Sequence, residues 1–147
     1  MYIRRLSSRF MAYAWAAPNT LLGLAVGLVM LCLGGQMRLV AGVAEFHGGW
    51  LGRIVARAPK SVSFGAMTLG HTIVGVDQAT LHVLRSHEHA HVHQYEQWGL
   101  FFLPAYFSSS LWQVINGRNA HASNFFEKQA CAMASAAPSE HKLLTKL

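Results

Sequence analysis

Positions 10–37 carry no charged residue, and within them residues 21–35 read LLGLAVGLVMLCLGG. Such a stretch has few fates: it crosses a bilayer, lies on one, or is buried by the rest of the chain. Crossing the hydrocarbon takes about 20 apolar residues. The run is shorter than that, but MAYAWAA at 11–17 extends it to sufficient length. Arg4, Arg5 and Arg9 precede it, as they would an anchor with a cytoplasmic N-terminus or the basic start of a secretion signal. No A-x-A site closes the run, so an uncleaved anchor is expected, with a signal peptide or a buried or interfacial hairpin as alternatives. Pro18, followed by Asn19 and Thr20, reads as a helix start or kink. Residues 1–38 are thus expected to form a membrane anchor or hydrophobic hairpin, with membrane lipid as a partner. Arg38, Arg53, Arg57 and Lys60 follow the run and oppose a simple single crossing, so the side of the membrane stays open.

The rest of the composition agrees. Charged residues are 12 % of the 147 and hydrophobic ones 52 %, against the roughly 25 % charged that is usual in soluble chains. So few charges cannot clothe a globule, and lipid or partner subunits must cover part of it. A formal net charge of +6 would suit nucleic acid, but the basic residues are scattered and no basic run is interleaved with aromatics, so no nucleic-acid partner is expected. Cys32 and Cys131 do not make a disulfide framework.

Beyond residue 38, glycines at 42, 48, 49 and 52 interrupt any long helix, and LGRIVARA (51–58) fits a strand or a short surface helix. SVSFGAMTLGHTIVGVD (61–77) predicts two short antiparallel strands, with Gly65, Gly70 and Gly75 at turns, bulges or close approaches. Asp77 then caps a helix of about five turns over 78–97. The uncharged segment 97–117 is either a second membrane helix or a core or interfacial helix beginning near Leu103. A further helix is expected over 123–134, and a loose tail after Pro138. This divides the chain into 1–38, a domain at 39–134, and a flexible tail at 135–147.

The helix at 78–97 carries SHEHAHVHQYE (86–96). At 100° per residue His87, His91 and Gln94 line one narrow face, with Leu84, Glu88 and Tyr95 beside it. His82, His89 and His93 fall nearly opposite. Each side offers an imidazole pair four residues apart, able to grip one cation. Only the 87/91 pair has a carboxylate next to its first histidine. That spacing lets Glu88 reach a metal-bound water without taking a coordination position, the mechanical content of HExxH. The opposite stripe reads as solvated, with accessory metal binding or haem carriage by His89 and His93, or by His71 and His82, as further options. A hydrolytic zinc site takes three protein ligands and keeps one position open. Glu127, in NFFEKQA (124–130), is the candidate third ligand, ahead of His121, Glu140 and His141. Gln94 and Tyr95 are candidates for supporting the ligands.

AMTLGHTIVG (66–75), HEHAHVHQYE (87–96) and NFFEKQA (124–130) together resemble a bacterial group of zinc-metallopeptidase-like proteins with the pattern TLGH, HExxHxxQYExWG, FLPAY and N-x-FE-x-x-A. The resemblance covers roughly residues 17–130, and extends more distantly to small gluzincin-type metallopeptidase domains. It implies His87 and His91 as zinc ligands, Glu88 as general base, Glu127 as third ligand, and Met67 to Ile73 as a strand edging the cleft. The chain departs from the group at Phe125, where proline is favoured, and at His89 or His93, where arginine is; neither change removes a ligand.

The expected fold is α+β: a minimal zincin-like core of short antiparallel strands, the HExxH helix and following helices, with one or two hydrophobic membrane-associated segments. The expected function is a membrane-associated Zn2+ peptidase acting on a protein or peptide substrate. The alternative is a small non-catalytic membrane subunit of a larger complex, holding a structural metal or none.

Overall fold

In the computed structural model, which describes residues 2–58 and 64–136, helix α1 (Tyr2–Cys32) runs through Pro18 without a break. Proline removes one helical hydrogen bond, and its neighbours are held from outside the helix. Asn19 is buried and donates from Nδ2 to the Gly99 carbonyl at 3.1 Å. The Thr20 hydroxyl donates to the Ala16 carbonyl and accepts the His71 N–H, both at 3.0 Å. Neither Asn19 nor Thr20 caps a helix, which corrects the expectation of a start there.

Strands β1 (Gly35–Val40) and β2 (Val43–Gly48) follow as a hairpin. Its two-residue turn has positive φ at both Ala41 and Gly42, the twist that matches right-handed strands. Helix α2 (Gly49–Arg57) takes up most of LGRIVARA. Then β3 (Ala66–Leu69) and β4 (Thr72–Gly75) form the expected antiparallel hairpin, turning at Gly70, whose φ of +61 suits glycine. The strands join in the order β1-β2-β4-β3, with β2 and β4 parallel from Ala44↔Thr72 to His47↔Gly75. The fold class is therefore α+β, with a mixed rather than purely antiparallel sheet.

Alternation along the strands loads both faces. On one side Phe46 and Val74 bury with Met30 of α1. A Cβ at Gly27 would stand 2.5 Å from the Phe46 ring, so glycine is what lets α1 lie this close. On the other side Val43 and Ile73 bury with Leu81 and Val92 of α3 (Gln78–Trp98). Asp77 caps α3 as expected, its carboxylate accepting the Thr80 N–H at 2.7 Å. A 3-10 turn (Gly99–Phe101) leads into α4 (Phe102–Ile115), and α5 (Phe125–Ala136) completes the described chain. A third cluster of Ala16, Tyr95, Phe102 and Phe126 ties α1, α3, α4 and α5 together. Residues 1–38 and 39–134 thus share their apolar layers.

Among the described residues one segment, Met11–Cys32 within α1, is long and apolar enough to cross a membrane. The second crossing considered for 97–117 is not formed. The helix there has 14 residues, or about 21 Å against a hydrocarbon core of about 30 Å. Ser109 and Ser110, which read as a poor lipid-facing patch, turn to α5 instead: Ser109 Oγ accepts the Phe125 N–H at 3.1 Å, and Ser110 Oγ accepts from Asn124 Nδ2 at 2.7 Å. The loose tail expected after Pro138 lies outside the described residues.

Candidate metal centre

Helix α3 packs with one flank on the sheet and another on α5, which buries Glu88, His91, Gln94 and Tyr95 while His87 stays partly open. Asn124 sets where α5 begins. Fully buried, it donates to the Tyr106 carbonyl at 3.0 Å, and its Oδ1 accepts the Phe126 N–H at 2.8 Å. Glu127 therefore sits in the first turn of α5, aimed at α3.

There the three expected ligands meet. Glu127 Oε2 lies 3.1 Å from His87 Nε2, Glu127 Oε1 lies 3.5 Å from His91 Nε2, and the two Nε2 atoms are 3.1 Å apart. Among the described residues this is the only group of three His, Cys, Asp or Glu side chains whose ligand atoms converge so closely. Zinc bonds of about 2.0–2.1 Å at tetrahedral angles would put ligand atoms roughly 3.3 Å apart, which these separations bracket. Two further observations test the fit. Gln94 donates from Nε2 to the Phe126 carbonyl at 2.9 Å and to Gln129 Oε1 at 2.8 Å, so its Oε1 is left to accept the His91 Nδ1–H at 2.8 Å. That bond leaves the neutral ring's lone pair on Nε2, facing Glu127. Glu127 Oε2 is buried and, among the described residues, has no hydrogen bond of good geometry. A lone pair and a carboxylate facing each other need a proton or a cation between them, and the donor set is the N/N/O combination that zinc takes.

The electrostatics follow from the same contacts. Burial pushes the Glu127 pKa up, but the His87 and His91 imidazoles beside it and the Tyr106 hydroxyl outweigh that and hold the carboxyl well below its usual range. Burial pushes His91 down, yet the Glu127 hydrogen bond and charge, with Gln94 and Glu88, carry it above its ordinary value.

Glu88, one residue past the first ligand, is buried and held by the Thr68 hydroxyl, which donates to its Oε2 at 2.7 Å. It lines a cleft of roughly 290 Å³ together with all three ligand residues. One wall is β3, the strand at the sheet edge. The other is α4, through Leu103, Tyr106 and Phe107. Tyr95 lies beneath, its hydroxyl donating to the Thr68 carbonyl at 3.2 Å; burial raises its pKa.

Three more side chains border the expected ligands, of which the sequence singles out only His121 as a rival third ligand. The Tyr106 hydroxyl donates to Glu127 Oε1 at 2.6 Å, and burial together with that carboxylate raises its pKa. His121 Nδ1 stands 3.4 Å from the same oxygen, but its side chain is 73 % exposed at the cleft mouth, so it borders the ligand group without joining it. Cys131 Sγ is 3.8 Å from His87 Nδ1. The tyrosine of LPAY and the threonine of TLGH were the available signals for Tyr106 and Thr68; nothing local marks Cys131.

The opposite histidine stripe is not simply solvated. Arg85 forks onto buried Glu45 of β2, Nε to Oε1 at 2.8 Å and Nη2 to Oε2 at 3.0 Å, with His89 Nε2 3.8 Å from the same carboxylate. Burial lowers the His89 pKa. His93 is exposed and pairs with Glu96 at 2.9 Å, which also holds His71 at 3.1 Å. His82 is exposed.

Set against family models, curated proteins and solved structures, the chain matches none of them.

Proposed function

We propose that this protein is a membrane-associated zinc metallopeptidase of minimal zincin-like architecture. The observation that carries the reading is the convergence of His87, His91 and Glu127 at zinc-compatible separations with Glu88 in the same open cleft. A structural zinc site is normally closed by four protein ligands; three at the base of a cleft suit hydrolysis. Zinc bound there would lower the pKa of a water to about 7 and polarise a carbonyl.

The chain's own residues supply the rest. Glu88, steadied by Thr68, takes the proton of the attacking water and delivers it to the leaving amine. Gln94 keeps the His91 lone pair turned inward. Tyr106, whose hydroxyl donates to Glu127 Oε1 at 2.6 Å, holds that carboxylate in place, and would have to turn from it to meet negative charge on a peptide carbonyl oxygen. Edge strand β3 supports binding of an extended peptide. In a hairpin with a two-residue turn the Leu69–Thr72 pair bonds inward, so alternation turns the Thr68 backbone groups away from β4: the carbonyl meets the Tyr95 hydroxyl and the N–H is left for a peptide. Membrane association favours protein or peptide substrates that reach the cleft from the bilayer surface.

The rival reading is a non-catalytic membrane subunit, favoured by the exposed apolar surface of α1 and α4. Metal analysis of the purified protein with Glu88→Gln decides between them. The peptidase reading expects about one zinc per chain, retained in Glu88→Gln, while peptide hydrolysis falls by about 10²–10⁴-fold. Zinc retained in both with no hydrolysis by the parent protein would favour the subunit.

A further inference from the structure

The surface of this chain carries an apolar band that a protein in water would not leave bare. On α1, Ala16, Gly23, Gly27 and Met30 face the rest of the molecule, while Met11, Leu21, Leu22, Leu28 and Val29 are exposed. The helix is therefore amphipathic by packing but not by polarity, since no charge falls anywhere in 10–37. On α4, Phe107, Leu111, Trp112 and Ile115 are likewise exposed. The two faces are continuous: Trp15 of α1 and Phe101, just before α4, have ring centroids 6.1 Å apart. At its other end α1 meets α2, where the Trp50 N–H donates to the Leu33 carbonyl at 2.9 Å. There exposed Trp50 and Ile54 stand beside exposed Arg53 and Arg57.

The tryptophans say what covers the band. Three of the four stand on α1, α2 and α4 and are exposed, at 43 % for Trp15, 61 % for Trp50 and 63 % for Trp112. Tryptophan is highly buried on average in globular proteins and concentrates at the headgroup level of membranes. Exposed arginines next to Trp50 and a formal net charge of +6 add attraction to anionic lipid.

The fold also limits how the bilayer can be met. Were Met11–Cys32 to cross the hydrocarbon, the sheet packed along that helix would enter it too. Its edge strand β1 is exposed from Gln36 to Leu39, including Arg38, and hydrocarbon does not tolerate an open sheet edge. Helix α4 is too short to cross. We propose that the protein is monotopic: α1, with the exposed faces of α2 and α4, lies in the plane of one leaflet of an anionic bilayer, with tryptophans at the headgroups and no crossing. This does not depend on the metal reading.

The test uses the full chain in bacterial cells, with Cys32 and Cys131 replaced by serine. Single cysteines are introduced as Ser7→Cys and Val83→Cys and labelled with a membrane-impermeant maleimide before and after opening the cells. A monotopic seat puts both on the same side; labelling from opposite sides would overturn it. In parallel, the purified unmodified chain is mixed with phosphatidylethanolamine–phosphatidylglycerol vesicles carrying bromine at shallow or deep acyl positions. Tryptophan emission should be quenched more by the shallow label. Absence of quenching, with the band covered by a second copy or another protein, would overturn the proposal. Leu111→Asp with Trp112→Asp, checked by circular dichroism for parental helix content, should weaken vesicle binding at least about tenfold; unchanged binding would remove α4 from the platform.

Discussion

Gln94 and His91 are joined by a 2.8 Å bond between Oε1 and Nδ1, and the same Gln94 amide grips α5 at the Phe126 carbonyl and at Gln129. One side chain thus sets the direction of the His91 ring and ties together the two helices that carry His87, His91 and Glu127. Sequence periodicity puts Gln94 on the face of His87 and His91; the structure shows it bonded both to His91 and across to α5.

Those roles can be separated. Gln94→Ala should lower zinc affinity by roughly 10–100-fold and destabilise the fold by about 1–3 kcal/mol through groups left unpaired. Gln94→Glu keeps an acceptor for His91 but has no N–H for Phe126, so it should retain more zinc affinity than Gln94→Ala while still losing thermal stability. Isothermal titration and thermal unfolding read the two effects; equal zinc affinities for both variants would dismiss the orienting role.

Glu127→Ala removes the proposed third ligand rather than a support, and should cost more zinc affinity than the roughly 10–100-fold of a supporting residue. Metal content after dialysis against a mild chelator is the readout. A variant holding zinc as tightly as the parent protein would mean that the carboxylate is not a ligand.

Tyr106→Phe deletes only the hydroxyl that meets Glu127 Oε1. Zinc content should survive, and peptide hydrolysis should fall by about 10²-fold, mainly in kcat. If KM or metal content absorbs the whole effect, Tyr106 serves to position Glu127 and does not meet developing charge.

Stability should respond to pH in opposite ways with and without metal. Without it, His91 has a pKa raised above 6.5, so its contribution is complete below that pH and is lost as pH rises through the raised value. Glu127 is depressed from 4.5, so its contribution is present above that pH and is lost only in stronger acid. The metal-free protein should therefore be best stabilised by this pair between about pH 4.5 and 6.5. With zinc, protons compete for the same nitrogens, and affinity should increase as pH rises. Melting temperatures above pH 6.5 should fall in chelator and hold or climb in zinc; parallel slopes would contradict the shared site.

The local parts of this architecture were legible. Asp77 followed by a helix free of glycine and proline, the two histidine stripes, and the β-branched 66–75 hairpin all follow from short-range pattern, and each is formed. Glu127 was reachable because it lies in a helical turn a plausible packing distance downstream. What periodicity could not supply was non-local. Glycines at 42, 48 and 49 looked like breakers, yet they turn and end strands β1 and β2, whose place depends on pairing with β4 across α2 and β3. Arg85 and His89 looked solvated because Glu45, their buried partner, lies 40 residues from Arg85. Tyr106 comes from α4, whose seat is fixed by Asn124 and two serines; their polarity spoke against a lipid-facing helix but could not name the partner.

The double grip of Gln94 also orders events at synthesis. A nascent chain that has emerged only through α3 already displays both imidazoles, but the amide that aims one of them has nothing to brace against until α5 has left the ribosome and docked. The proposed zinc capture would then wait for the completed domain, with half-made chains lacking both the braced imidazole and the Glu127 carboxylate.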